Sequence, residues 1–189
     1  MEKTLLVVLL LGTALISYGS ISGYFDSGDL KACSCDTIQG MVAWAEGNKS
    51  CVYKDSLGIP TVGIGFNMKR GDARTIFANN GINYDNVLSG KTCLTPAQVT
   101  ALFNNDLAWA RRGAGNCIPN LLSHHQCIQN VLIDMTFNMG ERSLCGWPIF
   151  TSQIQRKDYA DAADNMQSTR WCGQVGRRCT RNVGLVRSC

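Results

Sequence analysis

A chain of 189 residues, 45% of them apolar, fits one domain in one or two lobes and can bury a real core. The formal net charge of +4 is mild and gathers late, at Arg170, Arg177, Arg178, Arg181 and Arg187, a face that suits anionic polymers. No nucleic-acid-binding motif accompanies it, and the features of an exported chain also speak against nucleic acid.

Met1-Glu2-Lys3 precedes an apolar run from Thr4 to Ile16, followed by the small residues Ser17 and Gly19. The run is short for a bilayer and the small residues suit signal peptidase, so residues 1–19 read as a signal peptide. No later segment is long and apolar enough to span a membrane. Residues 20–36 form an N-terminal connector, Gly/Ser-rich at first, and residues 37–189 the folded domain. All ten cysteines follow the leader, and an even, dense set in an exported chain reads as a disulfide framework. Metal binding is the rival. It is disfavoured because no CxxC occurs and the two histidines, His124 and His125, are adjacent at a helix start, where such residues are usually solvated. No metal and no cofactor are expected.

Ile38, Met41, Val42 and Ala45 recur at helical spacing from Thr37, and Gly47-Asn48 ends the pattern, which puts Glu46 at a helix C-terminus. Cys51–Asp55 and Thr61–Phe66 flank the turn signal Ser56–Pro60 and predict a hairpin in a small sheet. Asp72 is placed to cap a short helix through Asn79, closed by Gly81. Thr95-Pro96 opens a long helix to about Arg112, with Val99, Leu102, Phe103 and Leu107 on one stripe. Helices are predicted over Ser123–Met139, Phe150–Arg156, Tyr159–Gln167 and a C-terminal arginine-bearing stretch. The fold class is α+β, mostly α, and a cleft between two lobes is where a polymer would lie.

Trp44-Ala45-Glu46-Gly47 places a carboxylate beside an aromatic ring at a helix C-terminus. The helix dipole and apolar neighbours both favour the protonated form that a general acid needs. Asp55 ends the first strand where water reaches it, and Thr61 begins the returning strand, placed to face Asp55 across the hairpin. An acid, an ionised carboxylate and a hydroxyl on one cleft are the parts required to break a glycosidic bond. Each residue also has an ordinary reading: a solvated glutamate, a turn-forming aspartate, a strand threonine.

Glu46-(eight residues)-Asp55-(five residues)-Thr61 followed by Val62-Gly63-Ile64-Gly65 resembles the active-site signature of phage-type lysozymes, the family of the T-even phage enzyme. The likeness continues through Leu102–Asp106 and Met135–Glu141, returns at Arg170-Trp171, and covers about Ile38 to Arg187. The resemblance implies a lysozyme-like two-lobed fold, with a small β-sheet lobe and a larger helical lobe joined by a long helix. By it Glu46 matches the general acid, Asp55 the carboxylate that activates water, and Thr61 a residue that helps place that water. Arg178 matches an arginine paired with the glutamate, and Phe137 and Asn165 match positions that contact the sugar chain. Against these stand a surface arginine and a core phenylalanine. Both chain ends belong to the larger lobe, so Cys189 is expected to pair with Cys33 or Cys35.

Two departures bear on the expectation. Where the family pattern often has histidine after Gly63-Ile64-Gly65, this chain has Phe66, so a His–Asp ion pair with Asp106 is unavailable and stabilisation must come from elsewhere. A small polar sugar-binding position is occupied by Phe150. The ten cysteines and the leader suit a secreted eukaryotic member. The resemblance thus implies a monomeric, extracellular glycoside hydrolase acting on bacterial peptidoglycan, probing neither nucleic acid nor, once the leader is removed, a membrane. The alternatives are a lytic transglycosylase, a chitinase-like enzyme and a non-catalytic basic wall-binding or membrane-disrupting antibacterial protein. Asn48-Lys49-Ser50, two residues from Glu46, is the one glycosylation sequon and is expected to be unoccupied or to point away from the cleft.

Overall fold

A computed structural model describes residues 33–55 and 57–189; the expected leader, and the connector up to residue 32, lie outside them. Helix α1 (Ile38–Glu46) begins where Thr37 Oγ1 accepts the Gly40 amide at 3.2 Å and ends at Gly47, whose φ of 76° favours glycine. Its buried residues Ile38, Met41 and Val42 lie at helical spacing and face the core.

Strands β1 (Lys49–Lys54), β2 (Pro60–Gly63) and β3 (Phe66–Asn67) form an antiparallel sheet in that order. The single returning strand expected over Thr61–Phe66 is therefore broken in two. Gly63 and Gly65, with φ of 66° and 72°, reverse the chain so that Phe66 pairs back onto Val62. Helix α2 (Ala73–Asn79) follows, but Asp72 makes no side-chain cap to it, because its carboxylate is taken by Arg70. The unexpected α3 (Tyr84–Leu88) is too short to show a period and starts at Asn83, whose Oδ1 accepts the Asn86 amide.

Helix α4 (Pro96–Cys117) opens on a full capping box between Thr95 and Gln98 and runs past Arg112. Val99 and Leu102 join the small core, with Val62, Phe66, Met68, Phe77, Val87 and Leu94. Further along, Phe103, Leu107, Ala110 and Ala114 join the large core. The last turns of α4 stay helical because they pack closely on α5: a Cβ on Gly113 would lie 2.9 Å from Thr136 Cγ2. The helix thus joins two lobes, as the resemblance implied, and the chain is α+β, mostly α.

The large lobe contains α5 (Gln126–Met139), α6 (Glu141–Cys145), α7 (Pro148–Gln155), α8 (Tyr159–Gln167), α9 (Arg170–Val175) and α10 (Arg177–Ser188). The helix expected over Ser123–Met139 starts three residues later, as α5, after a 3₁₀ turn at Leu121–Ser123. The break lies at the two histidines, and the expectation that both are solvated fails for His124. It is 4% exposed, with Nδ1 2.8 Å from Tyr159 Oη and Nε2 3.3 Å from Asn120 Oδ1. His125 is exposed and caps α5 by accepting the Cys127 amide.

Five disulfides close the frame: Cys33–Cys189, Cys35–Cys127, Cys51–Cys93, Cys117–Cys145 and Cys172–Cys179. Cys189 thus takes the first of its two expected partners. Cys33, His125, Cys127 and Cys189 bring ligand atoms within 4.8 Å of one another, but all three cysteines are consumed in disulfides. No helix among the described residues is long and apolar enough to cross a membrane.

Candidate active site

Glu46 is the last residue of α1, and its Oε1 accepts a 2.6 Å hydrogen bond from Arg178 Nη1. Arg178 is no surface arginine: its residue is 5% exposed, and its Nε and Nη2 donate to both carboxylate oxygens of Asp134 at 3.0 and 2.9 Å. Burial alone would lower the Arg178 guanidinium; the bonds and charge of Asp134, then Glu46, outweigh it and push the group up. The opposite wall is Gly65. A Cβ there would stand 3.0 Å from Glu46 Oε2, so the β2–β3 turn approaches the carboxylate as closely as only glycine permits.

Trp44, expected to shield Glu46, does not. Residues two apart on a helix do not share a face, and Trp44 is 49% exposed, with the guanidinium groups of Arg177 and Arg181 5.0 and 4.8 Å from its ring centre. Trp44, Glu46, Asn138, Gln174, Arg177 and Arg178 line a polar cavity of about 420 Å³.

Asp55 follows β1 and is both turn former and candidate. Its Oδ1 accepts the Leu57 and Ile59 amides at 2.8 and 2.9 Å, and its other oxygen takes no hydrogen bond among the described residues. Thr61 is buried on β2 and sits opposite Tyr53 rather than Asp55, two residues short of the expected partner. Its hydroxyl donates to Ile59 O at 3.1 Å and keeps its lone pairs. Tyr53 is the residue that sequence reasoning missed: its phenol is pushed up by burial, then by the charges of Glu46 and of Asp55.

Phe137 on α5 is half-buried, edge-on to Phe103 at 5.8 Å, and lines a second cavity of about 390 Å³ with Gly65, Asn67, Arg70, Asp106 and Trp109. Gly65 therefore borders this cavity as well as Glu46. Asn165 on α8 lies in a separate hollow of about 230 Å³ with Trp147, Ile149 and Thr169. It is not brought to Glu46. Phe150, in the same hollow, is a core side chain at 0% exposure.

The stabilisation lost at Phe66 is found at Arg70. Its Nη1 donates to Asp106 Oδ1 at 2.6 Å, its other nitrogens grip Asp72, and the guanidinium lies 4.9 Å from the Phe66 ring centre. Burial pushes the Asp106 carboxyl up while Arg70 pulls it back.

The phage lysozyme family model matches residues 43–188, from Ala43 in α1 to the end of α10. The chain is 26% identical over 159 residues to "Probable T4-type lysozyme 1" of Dictyostelium discoideum, covering 79% of this chain and 93% of that one. It is also similar to an endolysin of Salmonella phage P22, 29% identical over 119 residues, which cover 63% of this chain and 70% of the relative. The family match spans both lobes and most of the chain: the chain belongs to the phage lysozymes and is a glycoside hydrolase of the lysozyme type.

Proposed function

We propose that the protein is a secreted enzyme that cleaves the β-1,4 glycosidic bonds of bacterial peptidoglycan, in antibacterial defence or digestion. Residues 1–19 serve as the signal peptide, 20–36 as a connector and 37–189 as the catalytic domain. The observation that carries the reading is Glu46, held at 2.6 Å by buried Arg178 and closely faced by Gly65 of the β2–β3 turn, with Asp55 beyond β1 fixed by two backbone amides.

In this reading Glu46 protonates the leaving oxygen. Asp55, oriented through Oδ1 by two amides, uses its other oxygen to take a proton from water, and Thr61 Oγ1 accepts from that water. The water attacks the face opposite the leaving group, so the anomeric centre inverts. Phe137 and, farther away, Asn165 contact the sugar chain. Five disulfides suit an extracellular enzyme, and no partner other than the wall is required of a monomer.

Turbidity clearance of purified walls tests the acid. Glu46→Gln is expected to cost about 10²–10⁴-fold with the fold intact, and Asp55→Asn nearly as much. Wild-type lysis by Glu46→Gln would instead favour the non-catalytic basic binder. NMR of fresh product should show the α-anomer from a β-linked substrate; the β-anomer first would replace inversion with a covalent glycosyl intermediate on Asp55.

A further inference from the structure

Asp134 is a carboxylate with 0% exposure, in the middle of α5, which the reaction as described does not use. Its Oδ2 accepts from Asn182 Nδ2 at 2.8 Å, and Arg181 Nη2 lies 3.2 Å away. Both carboxylate oxygens accept from Arg178, and the Asp134 carbonyl accepts Arg178 Nη2 at 3.2 Å. Arg178, Arg181 and Asn182 are spaced i, i+3, i+4 on α10 and so present one face to α5.

A guanidinium is a rigid planar fork. With its Nε and Nη2 edge fixed on Asp134, only Nη1 remains to meet Glu46, and its direction is set. Charge is the second consequence. A guanidinium 2.6 Å from Glu46, standing alone in a largely buried place, would strongly favour the ionised carboxylate, whereas a general acid must begin protonated. Asp134 supplies the opposing charge on the far side of the same guanidinium.

We propose that Asp134 is a positioning residue for the reaction: it aims Arg178 at Glu46 and offsets its charge, so that Glu46 carries its proton at the pH of catalysis. The proposal rests on Glu46 being the general acid. The other charged or titratable groups around Glu46 are Tyr53 on β1, Asp55 just beyond it and Arg177 on α10, with Arg181 one step farther, against Asp134; the β2–β3 turn presents uncharged Gly65. Tyr53 is pushed up, so it stays neutral across the range tested.

The test is the pH dependence of wall clearance for wild type, Asp134→Asn and Arg181→Gln, with thermal unfolding of each. Asp134→Asn keeps the shape and one acceptor but removes the charge. Its alkaline limb should move down by about one pH unit, giving about tenfold less activity on that side than on the acid side of the profile. Arg181→Gln removes a positive charge from the other side of Asp134, and its limb should move up. A purely structural Asp134 would lower activity by one factor at every pH and leave the limb in place, which would overturn the proposal. If Asp134→Asn does not fold, an unmoved limb in Arg181→Gln overturns it equally. A fully active Glu46→Gln removes the assigned acid and this inference together; an inactive one with unmoved limbs removes only the role of Asp134.

Discussion

Replacing Cys33 and Cys189 together by serine should destabilise the protein by about 4 kcal/mol, and the value follows from how the bridges are threaded. A lone bridge between residues 156 apart closes a loop worth about 5 kcal/mol in the chain-entropy account. The other bridges shorten it. From Cys33 the covalent path runs to Cys35, crosses to Cys127, returns to Cys117, crosses to Cys145, and crosses from Cys172 to Cys179 before reaching Cys189. That loop is about 50 residues, which gives about 4 kcal/mol. Without Cys35–Cys127 the path crosses Cys51–Cys93 instead and lengthens to about 80 residues, so the same bridge then becomes worth about 4.5 kcal/mol. Denaturant unfolding of wild type, each double-serine variant and the quadruple variant reads both quantities. The reasoning is refuted by a first loss below about 1 kcal/mol, or by a loss that shrinks when Cys35–Cys127 is absent. Free thiols at Cys33 or Cys189 in unreduced protein would end it sooner.

Two further outcomes are expected. Burial, and then Lys157, hold His124 below its ordinary range, so the folded chain binds its proton less readily than the unfolded one. Stability should therefore be lost as pH falls through about 6.5 toward the folded value, and His124→Gln should flatten that part of a melting-temperature profile. An unchanged slope in the variant would place the acid sensitivity elsewhere. Gly65→Ala forces a side chain into a φ of 72° and against Glu46, so it should cost about 1 kcal/mol or more and reduce wall clearance by a larger factor than Tyr53→Phe; a fully active variant would refute the close approach.

Local chemistry was legible in the sequence, and reach was not. Thr37, Thr95-Pro96 and the Tyr159–Gln167 stripe announce their helices because caps and periods are encoded within a few residues. The spacing of Glu46, Asp55 and Thr61 was legible, but register was not: the strands end and restart one residue earlier than expected, at Lys54 and Pro60, which puts Thr61 opposite Tyr53. Asp134 was illegible for a plainer reason. It stands in the apolar run Val131-Leu132-Ile133, and its partners Arg178 and Arg181 lie 44 or more residues away on another helix.

Phe66 shows the same limit from the other direction. Read by position, the loss of a histidine there removes a partner from Asp106. In the fold the constraint lies on the carboxylate, which is 8% exposed on α4 and needs a donor from the small lobe, whatever residue supplies it. Arg70 has the length to arrive from four residues farther along, and Phe66 becomes the ring on which its guanidinium rests. The exchange also alters the chemistry. Histidine loses its charge near neutrality, whereas an arginine raised by Asp72 and Asp106 keeps it at every pH at which the protein is folded. The tie across the small lobe to α4 therefore does not weaken as pH rises through neutrality. Any weakening begins with protonation of Asp106 on the acid side, where burial has already moved that carboxyl upward.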